Sequence, residues 1–210
     1  MSVWVKICGL THREAVEAAV AAGADAIGFV FAPSVRRVEP AQALRLCEGV
    51  PGRVKRVAVM RHPSPDEWLA VRDGFAPDWL QTDAVDLAQL EIPADMRVLP
   101  VYRDDNGELA SRSAKLPACL LFEGAHSGTG QRADWSAAAR LADRTRLVLA
   151  GGLSPDNVAQ ALHAVEPWGV DVSSGVEGAP GRKDPVRIAA FVANVRRWER
   201  SRQQVGVETT

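Results

Sequence analysis

The sequence predicts an α/β protein built as a closed (β/α)8 TIM barrel, and three observations predict it. Short β-type apolar runs alternate with amphipathic stretches from one end of the chain to the other. That alternation implies parallel strands joined by crossover helices. The length, 210 residues, reaches the roughly 200 that such a barrel needs. The turn G-x-G-x-x-G that follows the first strand of an open dinucleotide-binding sheet is missing. The closed architecture is therefore favoured over the open, doubly wound one.

Eight strands are predicted, at 3–7, 26–31, 55–60, 79–81, 97–102, 118–122, 147–150 and 169–172. Helices begin between them at recognisable signals. "THRE" reads as a capping box, with Thr11 as N-cap and Glu14 reaching back. "SPDNV" places Ser154 at an N-cap with Pro155 in the first helical position, and "DPVRI" does the same with Asp184 and Pro185. Asp134, before "WSAAARLAD", also reads as a cap. The weakest helical signals fall around 86–89 and 107–114. The last helix carries Ile188, Phe191, Val195 and Trp198 as one apolar stripe. No Pro- or Gly-rich linker divides the chain, so residues 1–202 form one barrel domain and 203–210 a disordered tail.

Composition excludes several classes. Hydrophobic residues make up 47% and charged residues 24%, ordinary values for a soluble globular protein. The formal charge of −1 gives no electrostatic reason for a nucleic-acid or anionic-membrane partner. Cys8, Cys47 and Cys119 are odd in number, widely spaced and without a C-x-x-C pair, which argues against a disulfide framework or a zinc site. No basic flank leads into a signal-type apolar stretch, and no run approaches the roughly 18 apolar residues of a membrane span. The reading is a cytoplasmic protein.

The chemistry-bearing stretches lie at the ends of predicted strands. "LVLAGGLSPDNV" leads from a strand into Gly151 and Gly152, which let a ligand approach backbone N–H groups. "GVDVSSGVEGAPGRKD" repeats the theme with Ser173, Ser174 and Gly175. Barrels frequently bind phosphate in the loops after strands seven and eight, and these are those two loops. Cys8, in "KICGL", is either a small strand filler or a thiol presented at a strand end. Cys47 and Cys119 read as packing residues.

Together, "KICGL", "GADAIGFVF", "SVRRV", "SGTGQRADW", "LAGGLSPDNV" and "VDVSSGVEGAPGRKD" resemble the phosphoribosylanthranilate isomerase family, barrel enzymes of the ribulose-phosphate-binding type. The resemblance spans nearly the whole chain. It implies a cofactor-free, metal-free Amadori rearrangement in tryptophan biosynthesis, turning N-(5-phosphoribosyl)anthranilate into the 1-deoxyribulose 5-phosphate aminoketose. The substrate is then a small molecule with one phosphate, and the chain a monomer or a homodimer. The alternatives are another phosphate-binding barrel enzyme or a sugar-phosphate sensor without catalysis.

The reaction needs an acid for the furanose ring oxygen and a base for the C2 proton. The resemblance makes Cys8 the base, on a face of strand one that it shares with Trp4 and Lys6 and that looks into the barrel. A cation would favour the thiolate, and Lys6 is a candidate. Arg36 matches the arginine that contacts the anthranilate carboxylate. Gln81 matches a glutamine near the substrate, although Thr82 and Asp83 stand where the family usually has leucine and histidine. Glu123, in "LLFEGAHSGTG", aligns with the family's aspartate acid and is one methylene longer; His126 in the same loop is a possible substitute. Asp171 is expected to pair with Lys6 across the seam between strands eight and one.

Overall fold

The computed structural model describes residues 2–103, 116–124 and 133–207. Eight parallel strands close into a barrel in sequential order. They are β1 (Trp4–Cys8), β2 (Ala26–Val30), β3 (Lys55–Val59), β4 (Trp79–Asp83), β5 (Arg97–Arg103), β6 (Cys119–Glu123), β7 (Arg146–Leu149) and β8 (Gly169–Val172). The α-helices are α1 (Arg13–Ala22), α2 (Pro40–Leu46), α3 (Pro65–Phe75), α4 (Trp135–Ala142), α5 (Val158–Val165) and α6 (Pro185–Val207). The helical signal around 86–89 is a 3-10 turn, Ala84–Gln89, while the one at 107–114 lies outside the described residues. Helix α6 runs five residues into the 203–210 segment expected to be a disordered tail. Among the described residues no helix is long and apolar enough to cross a membrane.

Side chains of each strand alternate between two cores. Ala26, Val57, Leu99, Leu121 and Val148 pack inside the barrel. Ile27, Ala58, Leu80, Leu120 and Leu147 face the helices, where Ile188, Phe191, Val195 and Trp198 of α6 meet them in one continuous cluster. The N-terminal mouth is closed by Trp4, stacked between Trp79 and Trp168 with ring centroids 5.2 and 5.4 Å away. The strands end at the opposite rim.

Two expected caps are corrected. His12, not Thr11, is the N-cap of α1, and it makes no side-chain cap. The Thr11 hydroxyl donates instead to the carbonyl of Gly181, in the loop after β8, so a tertiary contact has taken the group that would have capped the helix. Ser154 likewise precedes a turn: its N–H donates to Asn157 Oδ1 and its Oγ accepts from the Asp156 N–H. Helix α5 starts only after Asn157. Asp184 and Asp134 do cap, each accepting from backbone N–H groups two and three residues on.

The closing seam fixes the first interior ion pair. Strand register sets Lys6 opposite Asp171, and Lys6 Nζ donates to Asp171 Oδ1 at 2.9 Å with the lysine wholly buried. Breaking such a pair leaves a buried uncompensated charge, which costs about 3–5 kcal/mol. Asp171→Asn should therefore lower the unfolding free energy, measured by urea titration, by an amount in that range. A fully stable but inactive variant would instead make Asp171 part of the chemistry.

Candidate active site

Over the C-terminal ends of the strands lies a cavity of about 290 Å³, lined by Cys8, Arg36, Gln81, Glu123, Asp171 and Ser173 among others. These come from β1, the loop after β2, β4, β6 and β8 and the turn that follows it. A barrel gathers such residues because every parallel strand delivers its last side chain to one rim.

Cys8 is the last residue of β1 and is 6% exposed. Lys6 lies beside it, and Gly28 on the neighbouring strand makes room for both. A Cβ on Gly28 would come within 2.9 Å of Lys6 Cε and 3.2 Å of Cys8 Sγ. Burial pushes the Cys8 thiol above its ordinary value, and the opposing pull of Lys6 does not overcome it. The expectation that Lys6 holds a thiolate is corrected to that extent, for Lys6 spends its charge on Asp171. Cys47 and Cys119 are free thiols that burial pushes up to about 11, consistent with packing roles.

Arg36 lies across the cavity with one edge of its guanidinium engaged. Its Nε and Nη2 donate to Glu177 Oε1 and Oε2 at 2.7 and 2.9 Å. Among the described residues its Nη1 donates to nothing. Glu177 also accepts from Lys183 Nζ at 2.6 Å. Burial opposes ionisation of Glu177, but these two cations hold it down at about 2. A short antiparallel hairpin, β9 (Glu177–Ala179) with β10 (Arg182–Lys183), sets Lys183 opposite Glu177. Sequence reasoning missed both residues. The signal was present in "EGAPGRK", where a Pro-Gly turn separates an acid from a base at hairpin spacing.

At the far side stand Gln81 and the positions expected to depart from the family pattern, Thr82, Asp83 and Glu123. Gln81 is 7% exposed, and its buried Oε1 has no hydrogen-bond partner among the described residues. Thr82 Oγ1 donates to Asp86, which also accepts from the His62 backbone and sits 2.9 Å from His62 Nδ1. Burial would raise the Asp86 carboxyl, yet these hydrogen bonds hold it below its usual range. Asp83 pairs with Arg103, whose Nη2 is also 3.2 Å from Glu123 Oε1. Glu123 therefore lines the cavity beside a guanidinium that nothing local in the sequence announces. His126 lies outside the described residues.

The two turns expected to hold phosphate are in contact. A Cβ on Gly175 would fall 1.8 Å from the carbonyl oxygen of Leu153, so only glycine lets the turn after β8 pack on the turn after β7. Gly151 and Gly152 both adopt left-handed backbone. Ser173 faces the Cys8 cavity, and its Oγ accepts from Lys183 at 3.3 Å. Ser174 opens a 3-10 turn, Ser174–Val176.

A thiol, carboxylates and cations converging over the strand ends define a (β/α)8-barrel enzyme class that acts at its C-terminal rim. Comparison with known proteins narrows this. Residues 5–194 match the family model for N-(5'-phosphoribosyl)anthranilate (PRA) isomerase. The N-(5'-phosphoribosyl)anthranilate isomerase of Bordetella pertussis is 43% identical, covering 93% of this chain and 97% of its own. The phosphoribosyl anthranilate isomerase of Thermus thermophilus superposes with a TM-score of 0.77 at 32% identity, over 92% of this chain and 98% of that one. A phosphoribosyl anthranilate isomerase in complex with reduced 1-(o-carboxyphenylamino)-1-deoxyribulose 5-phosphate superposes with a TM-score of 0.73 at 35% identity, over 92% and 98%. The chain belongs to the phosphoribosylanthranilate isomerase family.

Proposed function

We propose that this chain isomerises N-(5-phosphoribosyl)anthranilate to 1-(2-carboxyphenylamino)-1-deoxyribulose 5-phosphate in tryptophan biosynthesis, with Cys8 as base and Glu123 as acid. Family membership carries the reaction. What supports the roles is that the cavity between Cys8 and Glu123 is bordered by Arg36 and by the turn after β8. Glu123 gives its proton to the furanose ring oxygen, the C1–O bond breaks, and the anilino nitrogen supplies electrons to form the protonated imine. Cys8 then takes the C2 proton, and the C2–H electrons move into the imine to give an enolamine. Tautomerisation yields the ketone. The imine is its own electron sink, so the steps balance without a cofactor.

Arg36 holds the anthranilate carboxylate through the edge that Glu177 leaves open, and Glu177 with Lys183 keeps the guanidinium fixed. Gln81 offers its unpartnered Oε1 to the substrate's N–H. The phosphate sits at the rim of the turns Gly151–Gly152 and Ser173–Gly175, whose backbone N–H groups and serine hydroxyls are donors of the kind its oxygens need. We place the reaction in the cytoplasm, with no partner beyond the substrate required.

Turnover tests the reading. Substrate generated from anthranilate and phosphoribosyl pyrophosphate should be consumed with loss of its fluorescence, whereas a sensor would bind it unchanged. The same assay carries a pH prediction. The base works only as thiolate, and burial raises its proton affinity. The acid works only when protonated, so raising the pH gains thiolate and loses protonated acid in equal measure, and kcat/KM should stay nearly level from about pH 7 to about pH 9. A tenfold rise per pH unit over that interval would mean that no protonated group is needed and would remove Glu123 as the acid.

A further inference from the structure

Strands β4, β5 and β6 are consecutive in the barrel and end in Asp83, Arg103 and Glu123. Register aligns Arg103 directly with Glu123, and Asp83 with Val101 two residues below Arg103. The guanidinium thus lies between two carboxylates on adjacent strand ends. One nitrogen, Nη1, pairs with Asp83 Oδ1, and Nη2 lies 3.2 Å from Glu123 Oε1. All three side chains border the same cavity as Cys8. Both carboxylates also stand at positions where the sequence departs from the pattern that the family resemblance implies.

From this we infer that Arg103 is a positioning residue for the acid Glu123, held in place by Asp83, an inference that rests on the role proposed for Glu123. Asp83 is well placed to act as the anchor. It is 4% exposed, and next to it Thr82 and His62 are tied to Asp86, which leaves the β4 rim little freedom. Glutamate has one more rotatable bond than aspartate and loses more side-chain entropy when fixed. A planar guanidinium already bound on one edge can fix it with little further ordering. Its second effect is electrostatic. When Glu123 passes its proton to the ring oxygen, a full carboxylate charge appears, and a preorganised cation at 3.2 Å receives it without rearrangement. Arg103 acts on the ring-opening step through Glu123 and not through contact with the anthranilate or the phosphate.

A double-mutant cycle on the purified full chain tests this, with steady-state kinetics and thermal unfolding measured for each variant. Arg103→Met should lower kcat about tenfold with KM within about twofold, the pattern of an interaction realised in the transition state. In the Glu123→Gln background the same change should cost nothing further, since the group it serves is gone. Arg103→Lys should recover part of kcat, and Asp83→Asn should slow the wild type but not Arg103→Met. Should Arg103→Met fail to fold, Arg103→Lys with Glu123→Gln closes the same cycle. Losses that multiply in the double variant, or a raised KM with unchanged kcat, would overturn the inference while leaving Glu123 as the acid. Wild-type kcat in Glu123→Gln alone would remove the acid assignment itself, and the inference with it.

Discussion

Cys8→Ala should reduce isomerisation by about 10²- to 10⁴-fold, the range that a positioned base contributes, while the barrel and its affinity for a product analogue survive. The substitution deletes one sulfur at the open end of β1. Its neighbours are Lys6, already satisfied by Asp171, and Gly28, which has no side chain to collapse. A cavity of that size costs about 1 kcal/mol or less on the scale of methyl deletions in cores. Neither Arg36 nor the turns after β7 and β8 depend on the thiol for a hydrogen bond. Circular dichroism and analogue binding should accordingly match the wild type while turnover does not. Alkylation gives the same answer chemically. Because burial keeps the thiol protonated at neutral pH, iodoacetamide should inactivate slowly there and faster as pH rises, and bound analogue should protect. Near-normal turnover of Cys8→Ala would place the base elsewhere.

The barrel was legible because its determinants are local and periodic. Strand alternation, the caps at Asp134 and Asp184, and the apolar stripe of α6 all follow from neighbours within a few residues. The Lys6–Asp171 pair was legible for a different reason: closure forces strand eight against strand one, so two interior charges on those strands must meet. One expected cap failed because a long-range partner competed for a local group. Thr11 gives its hydroxyl to Gly181, 170 residues on, and nothing near Thr11 announces that. The charged company of the site was hidden in the same way. Nothing near Arg103 in the sequence marks it, and only the order of strands sets it between Asp83 and Glu123. Lys6 was visible as a cation near Cys8, but the balance between its pull and burial depends on how completely the rim excludes water.

Glu123→Gln should also fall by about 10²- to 10⁴-fold in kcat, because it keeps the shape of the side chain and removes the proton that opens the ring. A free glutamate, with a pKa of about 4.3, is charged at neutral pH, so the donor must be protonated when the substrate is in place. Burial favours the neutral carboxyl and a guanidinium favours the charged one, and Glu123 is subject to both, with a side chain 15% exposed and Arg103 at 3.2 Å. The bound substrate shifts this balance by covering the cavity and bringing a phosphate dianion, both of which favour protonation. The amide of glutamine can still hydrogen-bond to Arg103 through its carbonyl, so the fold of the rim should persist and thermal unfolding should change little. Glu123→Asp retains the acid but shortens its reach by roughly 1.3 Å on ordinary carbon geometry, and should keep part of the activity. It should lose kcat more than KM, since misplacement weakens proton transfer without removing a contact to the phosphate or the anthranilate. The three variants then rank wild type, aspartate, glutamine. Wild-type turnover in Glu123→Gln together with its loss in His126→Ala would move the acid to His126 and show that the two carboxylates on Arg103 serve the structure of the rim alone.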